Sequence, residues 1–115
     1  MAYIDGVLCA VPAANKDAFL AHARETAAIF KEVGAVRVVD GWGSDVPDGK
    51  VTDFRRAVQA SSDEIVTFGW IEWPDKETRD AAWAKLMEDP RMADMKMPYD
   101  GKRMVYGGFD LIAET

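Results

Sequence analysis

Two hydrophobic periods alternate along this chain and lay out an order of elements. Positions 3–11 are rich in β-branched and aromatic residues and close at Pro12, which cannot donate a ladder hydrogen bond, so the run reads as a strand. The period then changes. Phe19, Ala23, Ala27, Phe30 and Val33 recur at helical spacing, with Asn15 placed as an N-cap and Gly34 where a left-handed C-terminal cap belongs. A second strand is expected over 36–46, broken by Gly41 and Gly43, which mark a bulge or a close backbone approach. Thr52-Asp53 then caps a short helical stretch carrying Phe54, Ala57 and Val58. The next strand, Glu64–Trp73, is strongly β-prone and is closed by Pro74. Asp75 caps a second helix with a buried stripe of Ala82, Trp83, Leu86 and Met87, ended by Asp89-Pro90. Met92, Met95 and Met97 form a methionine-rich segment of one or two helical turns, and a last strand, interrupted by Gly107-Gly108, spans 103–112.

Strand, helix, strand, strand, helix, strand is the split βαβ order, so the 115 residues are expected to form one α+β domain. The expected fold is ferredoxin-like, βαββαβ, with an antiparallel four-stranded sheet. Two similar segments, Val46-Pro47-Asp48-Gly49-Lys50 and Met97-Pro98-Tyr99-Asp100-Gly101-Lys102, sit at the same point of each half. Each reads as a tight reversal in which Asp-Gly supplies a side-chain hydrogen bond and a residue of positive φ. Neither is a phosphate loop, because Lys50 and Lys102 are followed by Val51 and Arg103 rather than Ser or Thr. The third strand is apolar on both faces: Ile65, Thr67, Gly69, Ile71 and Trp73 alternate with Val66, Phe68, Trp70 and Glu72. Two helices cover only one face, so the other is expected to pack on a second copy in a homodimer.

Composition removes several function classes. A net charge of -6 repels phosphate backbones, so no nucleic-acid partner is expected, and Arg55-Arg56 reads as a solvated pair. Cys9 is the only cysteine, which rules out an intrachain disulfide. The first six residues lack a basic n-region, and no apolar run approaches the roughly 18 residues of a membrane span. No membrane association is expected, and the expected compartment is the cytoplasm.

The sequence also resembles, over nearly its whole length, the bacterial YbaA-like family, domain of unknown function 1428. The likeness is carried by Tyr3-Ile4-Asp5-Gly6, Phe30-Lys31-Glu32 with Gly34-Ala35, the run SDVPDGKVTDF at 44–54, Trp70-Ile71-Glu72 with Pro74, Asp89-Pro90-Arg91-Met92, and DGKRMVYGGF at 100–109. The resemblance implies a dimeric α/β barrel of ferredoxin-like subunits. It carries over no catalytic set, so candidate sites rest on residue chemistry.

His22 is the only side chain whose ordinary pKa lies near neutrality, and on a helical wheel it falls roughly 80–90° from the centre of the Phe19 stripe, at the edge of the buried face. Asp40 and Glu72 are charged groups inside apolar strands, where burial would raise their pKa and make them acid–base candidates. Trp42, Trp70 and Tyr106 are the candidate ligand-binding rings, lining an apolar cavity between the sheet and the first helix; Gly41, Gly43, Gly69, Gly107 and Gly108 would leave room beside them. The alternative for these rings is a packed core and a dimer interface. Cys9 on a strand reads as inert packing. No metal site is expected: His22 and Cys9 lie far apart, and turn and cap roles explain most of the cluster Asp40, Asp45, Asp48 and Asp53. No cofactor is expected either. Two readings remain: a small-molecule enzyme or binder, cofactor-independent, with an aromatic-lined pocket in each subunit, or a non-catalytic interaction module in a regulatory or stress role.

Overall fold

The computed structural model describes residues 2–115. Four strands, β1 (Tyr3–Pro12), β2 (Arg37–Trp42), β3 (Glu64–Trp73) and β4 (Val105–Asp110), form one antiparallel sheet in the order β2-β3-β1-β4. The long helices α1 (Lys16–Glu32) and α3 (Lys76–Leu86) lie on one face, and one-turn helices α2 (Phe54–Ala57) and α4 (Pro90–Ala93) follow β2 and α3. This is the expected ferredoxin-like α+β fold.

Register settles which alternate residues meet the helices. Tyr3 pairs with Trp73, Asp5 with Ile71 and Val38 with Ile71, and Tyr3, Ile71 and Trp73 form the main core with Ile29, Phe30, Ala82 and Leu86. The Phe30 ring stands edge-on to Trp73 at 6.5 Å and to Trp83 at 5.6 Å. On the opposite face α2 covers one end of the sheet, where Val58 packs with Ala10 and Val66. Beyond it Phe68, Val105 and Phe109 are 48%, 42% and 58% exposed.

Caps behaved unevenly. Gly34 has φ 117° and its N–H donates to the Lys31 carbonyl, as a left-handed cap should. Asp75 and Asp53 accept from Thr78 N and Arg56 N, each at 2.7 Å. Asn15 precedes α1 but makes no cap bond; its side-chain amide donates instead to the Pro98 carbonyl at 2.9 Å. The two Asp-Gly segments are not alike: neither Gly49 nor Gly101 has positive φ. Asp100 accepts from Lys102 N over a 3-10 turn at Gly101–Arg103, whereas Gly49 is required because a Cβ there would collide with the Thr52 carbonyl. These irregular flanks also shorten the two edge strands relative to 36–46 and 103–112. Helix α3 ends at Leu86, leaving Met87 84% exposed rather than in the buried stripe. The methionine-rich segment winds only one turn, α4, with Asp89 capping it through Arg91 N.

One ion pair ties the start of β3 to the segment that leads into β4. Arg103 Nη1 and Nη2 donate to Glu64 Oε1 and Oε2, each at 2.7 Å, and Ser61 N donates to Glu64 Oε1 at 2.8 Å. The Arg103 bonds, then those of Ser61, pull the Glu64 carboxyl from its ordinary 4.5 down to about 2. A depressed folded-state pKa contributes stability that is present above pH 4.5 and is lost as the pH falls toward 2. Glu64→Gln is therefore expected to flatten the fall in urea midpoint between about pH 5 and about pH 2. An unchanged fall would contradict that role.

Candidate functional site

Between the sheet and the helices lies a cavity of about 580 Å³. Its floor is the helix-facing row of the sheet: Val7 and Cys9 of β1, Val38 and Asp40 of β2, and Thr67, Gly69 and Ile71 of β3. Helix α1 supplies Phe19, His22, Ala23, Thr26 and Phe30. The segment following α3 closes the far side with Met92, Met95, Met97, Tyr99 and Met104, and Met87 stands at the mouth. Thus all five methionines among the described residues line this one space. Unbranched thioethers make an adaptable apolar wall.

His22 and Asp40 both reach the cavity. His22 Nδ1 is the one buried side-chain nitrogen or oxygen without a hydrogen-bond partner among the described residues. Burial holds the imidazole below its ordinary pKa, against the opposing charges of Glu25 and Asp40. The Tyr99 ring stands edge-on to it, centroids 5.7 Å apart and planes at 86°. Asp40 keeps accessible surface toward the cavity, while surrounding protein pushes its carboxyl up and the His22 charge pulls the other way. Its place is set by Gly69, its register partner: a Cβ there would stand 2.5 Å from Asp40 Oδ1 and 2.9 Å from the Val39 carbonyl. The Gly69 gap is therefore a seat for this carboxylate. At Gly108, too, the gap is filled, by the Tyr3 hydroxyl and Arg79.

The end of the cavity at α3 is built on Asp5, only 5% exposed. Its Oδ2 accepts from Trp73 Nε1 at 2.9 Å and Trp83 Nε1 at 3.0 Å, and its Oδ1 accepts from Arg79 Nη2 at 2.7 Å. Burial alone would raise this carboxyl, but the donors from Arg79, Trp83 and Trp73 outweigh it and hold it below the ordinary value. Arg79 also spans the Tyr3 ring at 5.3 Å and gives Nη1 to Asp80 at 3.0 Å.

The other candidates are dispersed. Tyr106 lies on the cavity rim and is 73% exposed. Trp42 shares the helix-facing side but packs on Phe19 at 5.9 Å beneath Lys16, beside a separate pocket of about 210 Å³ lined by Gly41, Gly43, Val46, Phe54, Val66 and Phe68. Trp70 also borders the cavity, but its indole and Glu72 point to the other face: Trp70 Nε1 donates to Glu72 Oε2 at 2.9 Å, its ring packs on Phe68, and Arg37 lies 3.7 Å from Glu72. Cys9 is buried, which pushes its thiol up against the influence of Tyr99 and Thr67. Asp5, Arg79, Trp83, Tyr99 and the methionines went unread as site residues. The available signals were the crowding of methionine in 87–104 and the acid at position 5 inside an apolar strand.

Among solved structures, the chain is similar in fold to a dimeric ferredoxin-like protein from an uncultured marine organism, with a TM-score of 0.65 at 10% identity over 99% of this chain and 98% of that one. That likeness supports the fold alone. At the level of sequence, the uncharacterized protein YbaA of Escherichia coli strain K12 is 58% identical over 116 residues, covering 99% of each chain, and its Shigella flexneri counterpart matches equally. The family model described as "Protein of unknown function (DUF1428)" matches residues 2–101. With the full-length match to YbaA and the family model running from β1 to the turn before β4, the chain belongs to the DUF1428 family.

Proposed function

We propose that this protein is a homodimer whose subunits each bind a small, flat, largely apolar molecule in the cavity, with His22 and Asp40 as proton donor and acceptor, and without a cofactor. The observation that carries the reading is the 580 Å³ space lined by methionine and aromatic side chains, on which a partnerless imidazole nitrogen and the carboxyl of Asp40 both border. A few polar groups converging in an apolar cavity, with their pKa values displaced toward each other, are what acid–base handling of an apolar substrate requires. A neutral imidazole and a carboxylate of raised basicity suit proton abstraction and return, as in an isomerisation.

The dimer reading is supported by the open sheet face, where Phe68, Val105 and Phe109 remain half-exposed, and by the dimeric state of the similar ferredoxin-like protein. That same face is the observation favouring the alternative, an interaction module without a substrate.

Thermal unfolding with a panel of neutral bicyclic aromatics, 2-acetylnaphthalene among them, separates the readings. A ligand at ten times its Kd stabilises by about 1.4 kcal/mol, a Tm rise of roughly 5 °C for a domain of this size. Ala23→Trp, which fills the cavity from α1, is expected to abolish the rise, and Thr26→Phe to do the same. No rise with any compound, or an equal rise in both variants, would leave the interaction module as the better account.

A further inference from the structure

Resting on the cavity as a ligand site, we infer that it selects an uncharged molecule bearing a carbonyl or similar acceptor oxygen, held by the Nε2–H of His22, and rejects isosteric carboxylates and phosphates. Three observations carry this. First, Arg79 is the only lysine or arginine along the cavity among the described residues. Its Nε and Nη2 are committed to Asp5 at 2.7–3.2 Å and its Nη1 to Asp80 at 3.0 Å, so each nitrogen is already engaged and the charge is offset by two carboxylates, which leaves little net attraction for an anionic ligand.

Second, Asp40 already places a carboxyl on the floor, seated over Gly69, and no lysine or arginine is paired with it among the described residues. An anionic ligand would bring a second negative group beside the first and leave its own solvation behind. A repulsive element of this kind gives specificity against charged analogues of the same shape.

Third, the His22 tautomer follows from burial. Nδ1 is closed off and partnerless. A buried N–H without an acceptor costs more than a buried lone pair, so the proton of the neutral ring sits on Nε2, the nitrogen that remains within reach of a ligand. Adding a second proton would place an orphaned N–H at Nδ1, which keeps the ring neutral and makes it a donor rather than a fixed cation. The edge-on Tyr99 ring limits its rotation.

Three probes of one shape test the inference: 2-acetylnaphthalene, 2-isopropenylnaphthalene and 2-naphthoate, with Kd measured at neutral pH by quenching of tryptophan fluorescence. The ketone is expected to bind at least about tenfold more tightly than the naphthoate and about three- to tenfold more tightly than the alkene. In His22→Phe the preference for the ketone over the alkene should vanish, and continued binding of the alkene reports an intact cavity. If that variant does not fold, the wild-type comparisons decide. A ketone that binds no better than the alkene, or a naphthoate that binds as well as the ketone, overturns the selectivity while leaving the cavity as a ligand site. If none of the three binds, both fall together.

Discussion

Asp5→Ala is expected to lower the unfolding free energy by about 3–5 kcal/mol, the cost of removing one partner from a buried charge pair. Asp5 is 5% exposed and receives Trp73, Trp83 and Arg79 at once, so alanine would orphan two indole N–H groups and leave the guanidinium without its counter-charge. Trp73 is 1% exposed and has no route to water in exchange. Asp5→Asn keeps the shape and one acceptor but not the charge, and should fall between alanine and the wild type. Urea unfolding followed by tryptophan fluorescence measures both. A loss below about 1 kcal/mol for alanine would place the pair among the weak surface bridges. The sign with pH follows: because the folded carboxyl lies below its ordinary 3.8, its contribution is full above that value and declines as the pH falls through the lowered one.

Phe68→Asp is expected to convert a dimer to monomers. Phe68 stands 48% exposed on the open face between Phe54 and Trp70, each with ring centroids 5.9 Å away. In a two-fold interface each substitution appears twice, and two uncompensated charges at the centre raise the dimer Kd by at least about a hundredfold. The monomer itself should stay folded, because the side chain is already half in water. Sedimentation at micromolar concentration should give twice the 12.7 kDa chain mass for the wild type and the single mass for Phe68→Asp, with Phe109→Asp behaving alike. A wild type of 12.7 kDa would remove the dimer from the account.

Much of this architecture could be read from residue patterns, and the reasons for the failures are physical. Period changes at Pro12, Gly34 and Pro74 located β1, α1 and β3 because backbone chemistry there is local. Strand alternation correctly grouped Trp70 with Phe68 and Glu72, but alternation does not say which row meets the helices, and the Trp70 row turned out to be the open one. His22 and Asp40 were legible as misplaced polar groups in apolar elements. Asp5 looked the same, yet its partners lie 68, 74 and 78 positions away, beyond any spacing rule. Gly69 was legible as missing volume but not as the seat of Asp40, which depends on the β2–β3 register. The methionines follow no period because 87–104 is held from outside, by Arg91 on Glu32 at 2.7 Å, Asn15 on Pro98 at 2.9 Å and Arg103 on Glu64 at 2.7 Å.

The central claim, a ligand-binding cavity walled by methionine, is tested most directly by methyl NMR of protein labelled with carbon-13 at the methionine methyls, titrated with 2-acetylnaphthalene. The account predicts saturable shifts at the methyls of Met92, Met95, Met97 and Met104, large because of the ring current of a bicyclic aromatic seated among them, and their loss in Ala23→Trp. Methyl signals that do not move up to the solubility limit of the probe, or that move identically in Ala23→Trp, would contradict it.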